Sequence, residues 1–338
     1  MQKILRDFTV DSPVFPNDAM TVVRVRKTDT AKHALELLIS NNLSAIPIVD
    51  PEHHSEPIAL FSVAQVVAFV VKHLDPHGTA VPTERDWSSW ILTNEKFAKF
   101  DALQFVHYCS AHYHIPAALA VSSTTSLKKA CHLLLEKKAH NLIVFDKEKD
   151  NRISNVVAAS RLVEFLAAGI DSLPIARQAV GDFEGGLAAK KPLVAVFEEG
   201  KALSAFEQMI EKQVSCCAVI DGQQHISGNI SLQDIKTLGA DFQSIELLRG
   251  SALEFITAVR KAHPHGPGRT ARPKAVTCSP LDPLRDVLAL FSFYKVHHVF
   301  VVDGDDKPIS VISVVDVIRW VLHQMKELKP NAEDEESE

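Results

Sequence analysis

The sequence predicts an α+β fold in which one small strand-helix-strand-strand-helix unit is repeated four times, and three observations predict it. Four short apolar runs each end on an aspartate: IPIVD at Asp50, LIVFD at Asp146, CAVID at Asp221 and VFVVD at Asp303. Nineteen, sixteen, fifteen and twelve positions before those aspartates stand Ala31, Ala34, Leu35 and Leu38; Leu127, Ala130, Cys131 and Leu134; Ala202, Ala205, Phe206 and Met209; and Leu284, Val287, Leu288 and Phe291. Each set has the i, i+3, i+4, i+7 spacing of an amphipathic helix. At one fixed offset further back lies a short strand in every unit: Val23–Val25, Leu119–Val121, Val194–Val196 and Val276–Cys278. Equal spacing across three kinds of element marks an internal repeat.

Taken in order, residues 1–19 form a leader expected to cover an edge of the first unit, with Pro13 and Pro16 opposing regular structure. Unit one spans 20–73. An insertion over 74–114 has a turn-rich start, Trp87 and Trp90, and a helical pattern from Asn94 to Cys109. Unit two spans 115–169. The stretch 170–191, with Pro174 and the pair Gly185–Gly186, is the expected linker between two halves. Unit three spans 192–238, followed over 239–274 by a helical pattern from Phe242 to Lys261 and a proline- and glycine-rich basic loop. In that loop Gly266-Pro-Gly268 is no phosphate cradle, which needs a strand before it and a helix after it. Unit four spans 275–326: a strand at Val299–Val302, an acidic turn, a strand at Ile309–Ile312, and a helix opening at Ser313-Val-Val-Asp316. The acidic stretch at 327–338 is predicted to be disordered.

A chain of 338 residues with 46% hydrophobic composition can bury sizeable cores. Its net charge of −6 comes largely from five acids in Glu333–Glu338, so no basic footprint for nucleic acid is present. The five cysteines form no CxxC spacing and fall mostly inside the apolar pattern, which fits reduced thiols. The longest apolar stretch, Ala59–Val71, is interrupted by Ser62 and Gln65 and is too short to span a bilayer. The expectation is a soluble protein of the cytoplasm or nucleus. No nucleophile elbow, Walker loop, HExxH or kinase signature is present, so no catalytic residues are expected. His107, Cys109, His112 and His114 match no closed zinc pattern, so no metal site is expected either.

Six residues before the strand-ending aspartate stand His140 in unit two, Ser215 in unit three and His297 in unit four; at the start of the last helix stand Asp234 and Asp316, with Arg161 in unit two. On these residues the units resemble CBS domains paired into two Bateman modules, and nearly the whole chain resembles the gamma regulatory subunit of the AMP-activated protein kinase family. The resemblance implies a pseudo-symmetric disc that binds AMP, ADP or ATP in clefts between CBS domains and assembles with protein kinase catalytic and beta subunits as a heterotrimer. The chain also departs from the family. In unit one, Ser44 and Gln65 replace its arginine and its ribose-binding aspartate, and Asn141 and His298 stand where arginines follow the histidines. Three phosphate-holding guanidinium groups are missing.

Each candidate site residue has a second reading. Asp234 and Asp316 could accept hydrogen bonds from ribose hydroxyls beside free helix-start N–H groups. Ser231-x-x-Asp234 and Ser313-x-x-Asp316 are also capping boxes, and Ser62-x-x-Gln65 fits the same pattern. His140, His297 and His298 could contact ligand or be core-edge histidines bonded to backbone. Thr277 and Ser279 are polar contacts or turn formers. Arg24, Arg26 and Lys27 could charge the mouth of unit one or block strand pairing, and Cys216 and Cys217 are small apolar residues of a buried strand. Two functions stay open: a nucleotide sensor whose histidines replace the arginines, with weak affinity falling from roughly pH 6 to pH 8, or an interaction scaffold that has lost nucleotide control.

Overall fold

A computed structural model of the protein describes residues 8–12, 22–53, 57–74, 95, 97–113, 115, 119–137, 139–149, 152–172, 174–182, 193–262 and 273–327. Trp87 and Trp90, the linker glycines Gly185 and Gly186, residues 263–272 of the basic loop and residues 328–338 lie outside them. Unit one consists of β1 (Val25–Arg26), α1 (Ala31–Ser40), β2 (Ala45–Val49), β3 (Pro57–Ser62) and α2 (Val63–Leu74); α3 (Ala102–Tyr113) follows. Unit two has β4 (Ala120–Ser122), α4 (Leu127–Glu136), β5 (Asn141–Asp146), β6 (Arg152–Ala158) and α5 (Ala159–Gly169). Unit three has β7 (Ala195–Phe197), α6 (Ala202–Glu211), β8 (Cys216–Ile220), β9 (Ile226–Ser231) and, in place of a last α-helix, 3-10 turns over Leu232–Leu238; α7 (Ala252–Ala262) follows. Unit four has β10 (Thr277–Cys278), α8 (Leu284–Tyr294), β11 (His298–Val302), β12 (Pro308–Ser313) and α9 (Val314–Glu327).

In every unit the opening strand runs parallel to the middle strand, and the middle strand pairs antiparallel with the third. The four helical stripes read from the sequence are all buried. The strand-ending aspartates have a local cause. Asp50, Asp146, Asp221 and Asp303 each accept, on Oδ1, the backbone N–H two residues on, at 3.1, 3.0, 2.8 and 3.0 Å. That is the Asx turn that lets the chain reverse into the third strand.

Two kinds of seam join the units. Sheets face each other between units one and two, where Ala45, Val49 and Leu60 meet Ile143 and Ile153, and between units three and four, where Cys216 and Ala218 meet Phe300. Helices join units one and three in a core holding Leu35, Val67, Phe206 and Ile235, and units two and four in a core holding Leu134, Val163, Val287 and Val317. Sheet seams and helix seams therefore alternate around a closed ring of four units.

A helix leaves its first N–H groups without partners, and here each unit's first helix borrows one from outside the unit. Ala31 N–H donates to the Phe100 carbonyl (2.8 Å), Leu127 to Phe8 (2.9 Å), Ala202 to Gly250 (3.0 Å) and Leu284 to Gln178 (2.9 Å). Isolated bridges, Thr30 with Asp101, Thr9 with Ser126, Lys201 with Ser251 and Ala179 with Pro283, fix these four straps. Residues 8–12 of the leader expected on unit one thus lie on unit two, where Val10 is fully buried in the core that units two and four share. The helical patterns predicted from Asn94 and Phe242 are likewise interrupted at the straps, so α3 and α7 begin only at Ala102 and Ala252. The strap on unit four passes so close to Pro280 that a Cβ on Gly181 would lie 2.9 Å from its carbonyl oxygen.

Candidate functional site

The hairpin register puts two positions of each unit side by side. The N–H that opens the last helix or turn donates to the residue six before the strand-ending aspartate: Val63 to Ser44, Ala159 to His140, Leu232 to Ser215 and Val314 to His297, at 3.0, 2.9, 3.1 and 3.1 Å. These inner ends meet at the middle of the ring. Ser44 Oγ bonds Asn141 Oδ1 at 3.4 Å between units one and two, and Ser215 Oγ is bonded to His298 Nε2 at 2.8 Å between units three and four. Lys236 Nζ of unit three donates to Asn42 Oδ1 (3.0 Å) and the Leu43 carbonyl (3.3 Å) of unit one, while Lys295 Nζ of unit four pairs with Glu164 of unit two at 2.9 Å.

Asp234 and Asp316 both sit at this centre and both cap. Asp234 Oδ2 accepts from Ser231 N and Oγ at 2.6 and 2.9 Å. Asp316 Oδ2 accepts from Ser313 N and Oγ at 2.9 and 2.7 Å, Ser313 Oγ in turn accepts from Asp316 N, and Arg319 donates to the other carboxylate oxygen at 2.9 Å. In unit one Gln65 Oε1 accepts from Ser62 N at 2.8 Å, but its side chain is fully buried and Nε2 has no partner. In unit two Arg161 caps nothing; its exposed guanidinium bonds Glu164 at 3.1 Å.

The histidines are electrically quiet. Burial lowers the pKa of His298 to about 3, helped by His297 and His140 and opposed by Asp316. Burial also lowers His297, with His140 and Lys236 adding to it and Glu164 opposing. His140 is solvent-exposed, yet the protein mass around it displaces enough water to lower it too. His298 is therefore neutral between pH 6 and pH 8, and burial moves the other two in the same direction, against the expectation of imidazolium-driven binding in that window.

The residues predicted from sequence do not all converge. Thr277 lines a different cavity, of about 610 Å³, at the opposite end of the sheets of units three and four, together with His225, Lys274, Asp305 and Lys307. This larger cavity is not beside the histidines; the cavity at His297, bounded by Ser160, Glu164 and Lys295, is about 100 Å³. Ser279 N donates to Asp282 in a turn, and Lys27 pairs with Asp50 at the outer end of its hairpin, so neither reaches the centre. Cys216 and Cys217 are buried, and burial pushes the Cys217 thiol up to about 12. Among the described residues no group of three or more His, Cys, Asp and Glu side chains could hold a metal ion; Cys109 donates to the Gln65 carbonyl, His112 is bonded to the Tyr108 carbonyl, and His114 lies outside the described residues. Sequence reasoning missed Lys236. Its signal was a lysine at the repeat offset where the other units have Val67, Val163 and Ile318, all buried.

The family model of the CBS domain matches residues 17–72, 180–241 and 270–323, just over half of the chain. Among relatives, Protein sds23 of Aspergillus clavatus is 23% identical over 300 residues, covering 88% of this chain and 56% of that protein. The SNF1-related protein kinase regulatory subunit gamma-1 of Arabidopsis thaliana is 22% identical over 341 residues, 89% of this chain and 79% of that one. The chain thus spans little more than half the length of the first of these. Among solved structures, protein MJ1225 of Methanocaldococcus jannaschii, described as a candidate archaeal homologue of g-AMPK, superposes with a TM-score of 0.64 at 13% identity over 89% of this chain and 96% of that one.

Proposed function

We propose that this chain, which belongs to the CBS-domain family, is a non-catalytic regulatory subunit that takes an adenine nucleotide (AMP, ADP or ATP) at the inner ends of its units and modulates a bound protein kinase. One observation carries the reading: two carboxylates, Asp234 and Asp316, the histidines His140, His297 and His298, and Lys236 come from three units to one centre. The carboxylates can accept from ribose hydroxyls, and the ring N–H groups and the ammonium can donate to phosphate oxygens. The relatives named for kinase gamma subunits support the output, with catalytic and beta subunits as the partners to seek.

Titration calorimetry of the full chain with AMP, ADP and ATP tests it. Binding is expected, and is lost in Asp234→Ala and Asp316→Ala, which also lose roughly 1 kcal/mol of stability with their caps. No heat and no thermal shift at millimolar nucleotide would sink the reading. A second reading, a scaffold without nucleotide control, is favoured by the Ser44–Asn141 and Ser215–His298 bonds, which close the centre with the protein's own side chains. Capture of kinase subunits from cell extract by a chain that binds no nucleotide would support it.

A further inference from the structure

We propose a second ligand site, distant from the centre of the ring: the cavity of about 610 Å³ between units three and four binds a small zwitterion of the α-amino-acid class, its carboxylate met by Lys274 and Lys307 and its ammonium by Asp305 and Asp306.

The walls of this cavity are held together without the charged groups that line it. Across the seam, Ile226 N–H donates to the Asp306 carbonyl at 3.1 Å. Arg260 of α7 donates to the carbonyls of Ser227 and Lys274 at 3.1 and 3.0 Å, which fixes the entry to β10 against β9. Asp221 and Asp303 are taken up by their own turns. Asp221 accepts from Gln223 N and His225 N and pairs with His225 Nδ1, and Asp303 accepts from Asp305 N and Lys307 N. These bonds leave over two ammonium groups, two carboxylates and His225 Nε2. The charge of Lys307 acts on Asp303, but among the described residues Lys274, Lys307, Asp305 and Asp306 form no ion pair. Lys274, Asp305 and Asp306 are exposed, while Thr277, His225 and Lys307 are half-buried, so the charges surround an open site.

The fold does not require this polarity. Where unit four has Pro273-Lys274-Ala275-Val276-Thr277, unit two has Pro116-Ala117-Ala118-Leu119-Ala120. Alanine thus serves the same turn of chain at both places where unit four brings a lysine and a threonine to the cavity.

Unpaired charges of both signs choose the ligand. A phosphate or a dicarboxylate would satisfy the lysines and be repelled by the aspartates. A metal ion would do the reverse, and among the described residues no group of three or more His, Cys, Asp and Glu side chains could hold one. A zwitterion answers both signs through charge-assisted hydrogen bonds and leaves the net charge unchanged, and the Thr277 hydroxyl can donate to its carboxylate or accept from its ammonium. The volume lies within the range of small-molecule sites and leaves room for a side chain.

Thermal-shift and calorimetric titration of the full chain with the common α-amino acids, at millimolar concentration, neutral pH and fixed ionic strength, tests this. At least one should raise the melting temperature. Its alkanoate and amine counterparts, each lacking one of the two charges, should bind about tenfold more weakly. Lys274→Ala installs the residue that unit two carries at the same place, so it should leave the melting temperature of the unliganded chain unchanged while weakening the amino acid about tenfold. The double variant Asp305→Asn, Asp306→Asn should remove the advantage of the amino acid over its alkanoate. Failure of every amino acid to bind, an alkanoate that binds as tightly as the amino acid, or affinity untouched by either variant overturns the proposal.

Discussion

At the scale of single residues, the central histidines set how stability depends on pH. His298, held down at about 3 by burial, is neutral when folded and regains an ordinary pKa near 6.5 when unfolded. Between those values the unfolded chain binds the extra proton, so the stability due to this group is complete above about pH 6.5 and is lost as pH falls, at up to about 1.4 kcal/mol per pH unit. His297 and His140 are shifted the same way. The melting temperature should therefore drop between pH 7 and pH 4.5, and drop less steeply in His298→Gln. Identical slopes for the two proteins would refute the assignment. This behaviour could not be read from sequence: His297-His298 after a helix is compatible with charged or neutral rings, and only the contact with Ser215, 83 residues away in the chain, and the burial decide between them. Lys236, in contrast, was missed although the repeat supplies its own control positions at Val67, Val163 and Ile318.

At the scale of elements, the straps make specific claims about which part of the chain holds which. Val10 is completely buried against unit two, and Val10→Ala should cost roughly 2 kcal/mol by removing buried methyl groups. Hydrogen exchange locates that loss: faster exchange is expected in α4, whose first N–H groups the Phe8 strap holds, and unchanged exchange in α1, which Phe100 holds. Faster exchange in α1 instead would show that the leader serves unit one after all. The helices and hairpins themselves were legible because their burial is periodic and their turns need an aspartate at a set place. The straps were not. A carbonyl finishing a helix far away in sequence leaves no pattern around itself, and Phe100 and Gly250 sit inside stretches whose apolar spacing alone reads as one unbroken helix.

For the whole molecule, the ring divides cleanly in one place only. The straps for units one and two both come from residues before 104, and those for units three and four both come from residues after 177. Fragments 1–172 and 173–338 should each fold and then associate through the two helix seams, giving one complex of the size of the intact chain on gel filtration. A cut at residue 118 separates unit two from Phe8, and the fragment 119–172 should remain unfolded by circular dichroism. Folded 119–172 would mean that the strap is dispensable. The stretch read as a linker is in its described part a strap, with Ile170, Ala176 and Val180 buried in the core of units two and four. The ring order was not legible, since it depends on which faces of α2 and α5 stay apolar once each sheet is covered.

The straps also bear on the order in which a growing polypeptide can finish its parts. Unit one is synthesised before Phe100, so its first helix stays open until that residue follows; unit two, made later, finds Phe8 already waiting. The second half repeats the rhythm, with Gly250 arriving after the helix it completes and Gln178 before. During synthesis, then, the earlier member of each pair waits for its strap, while the later member finds its own already made.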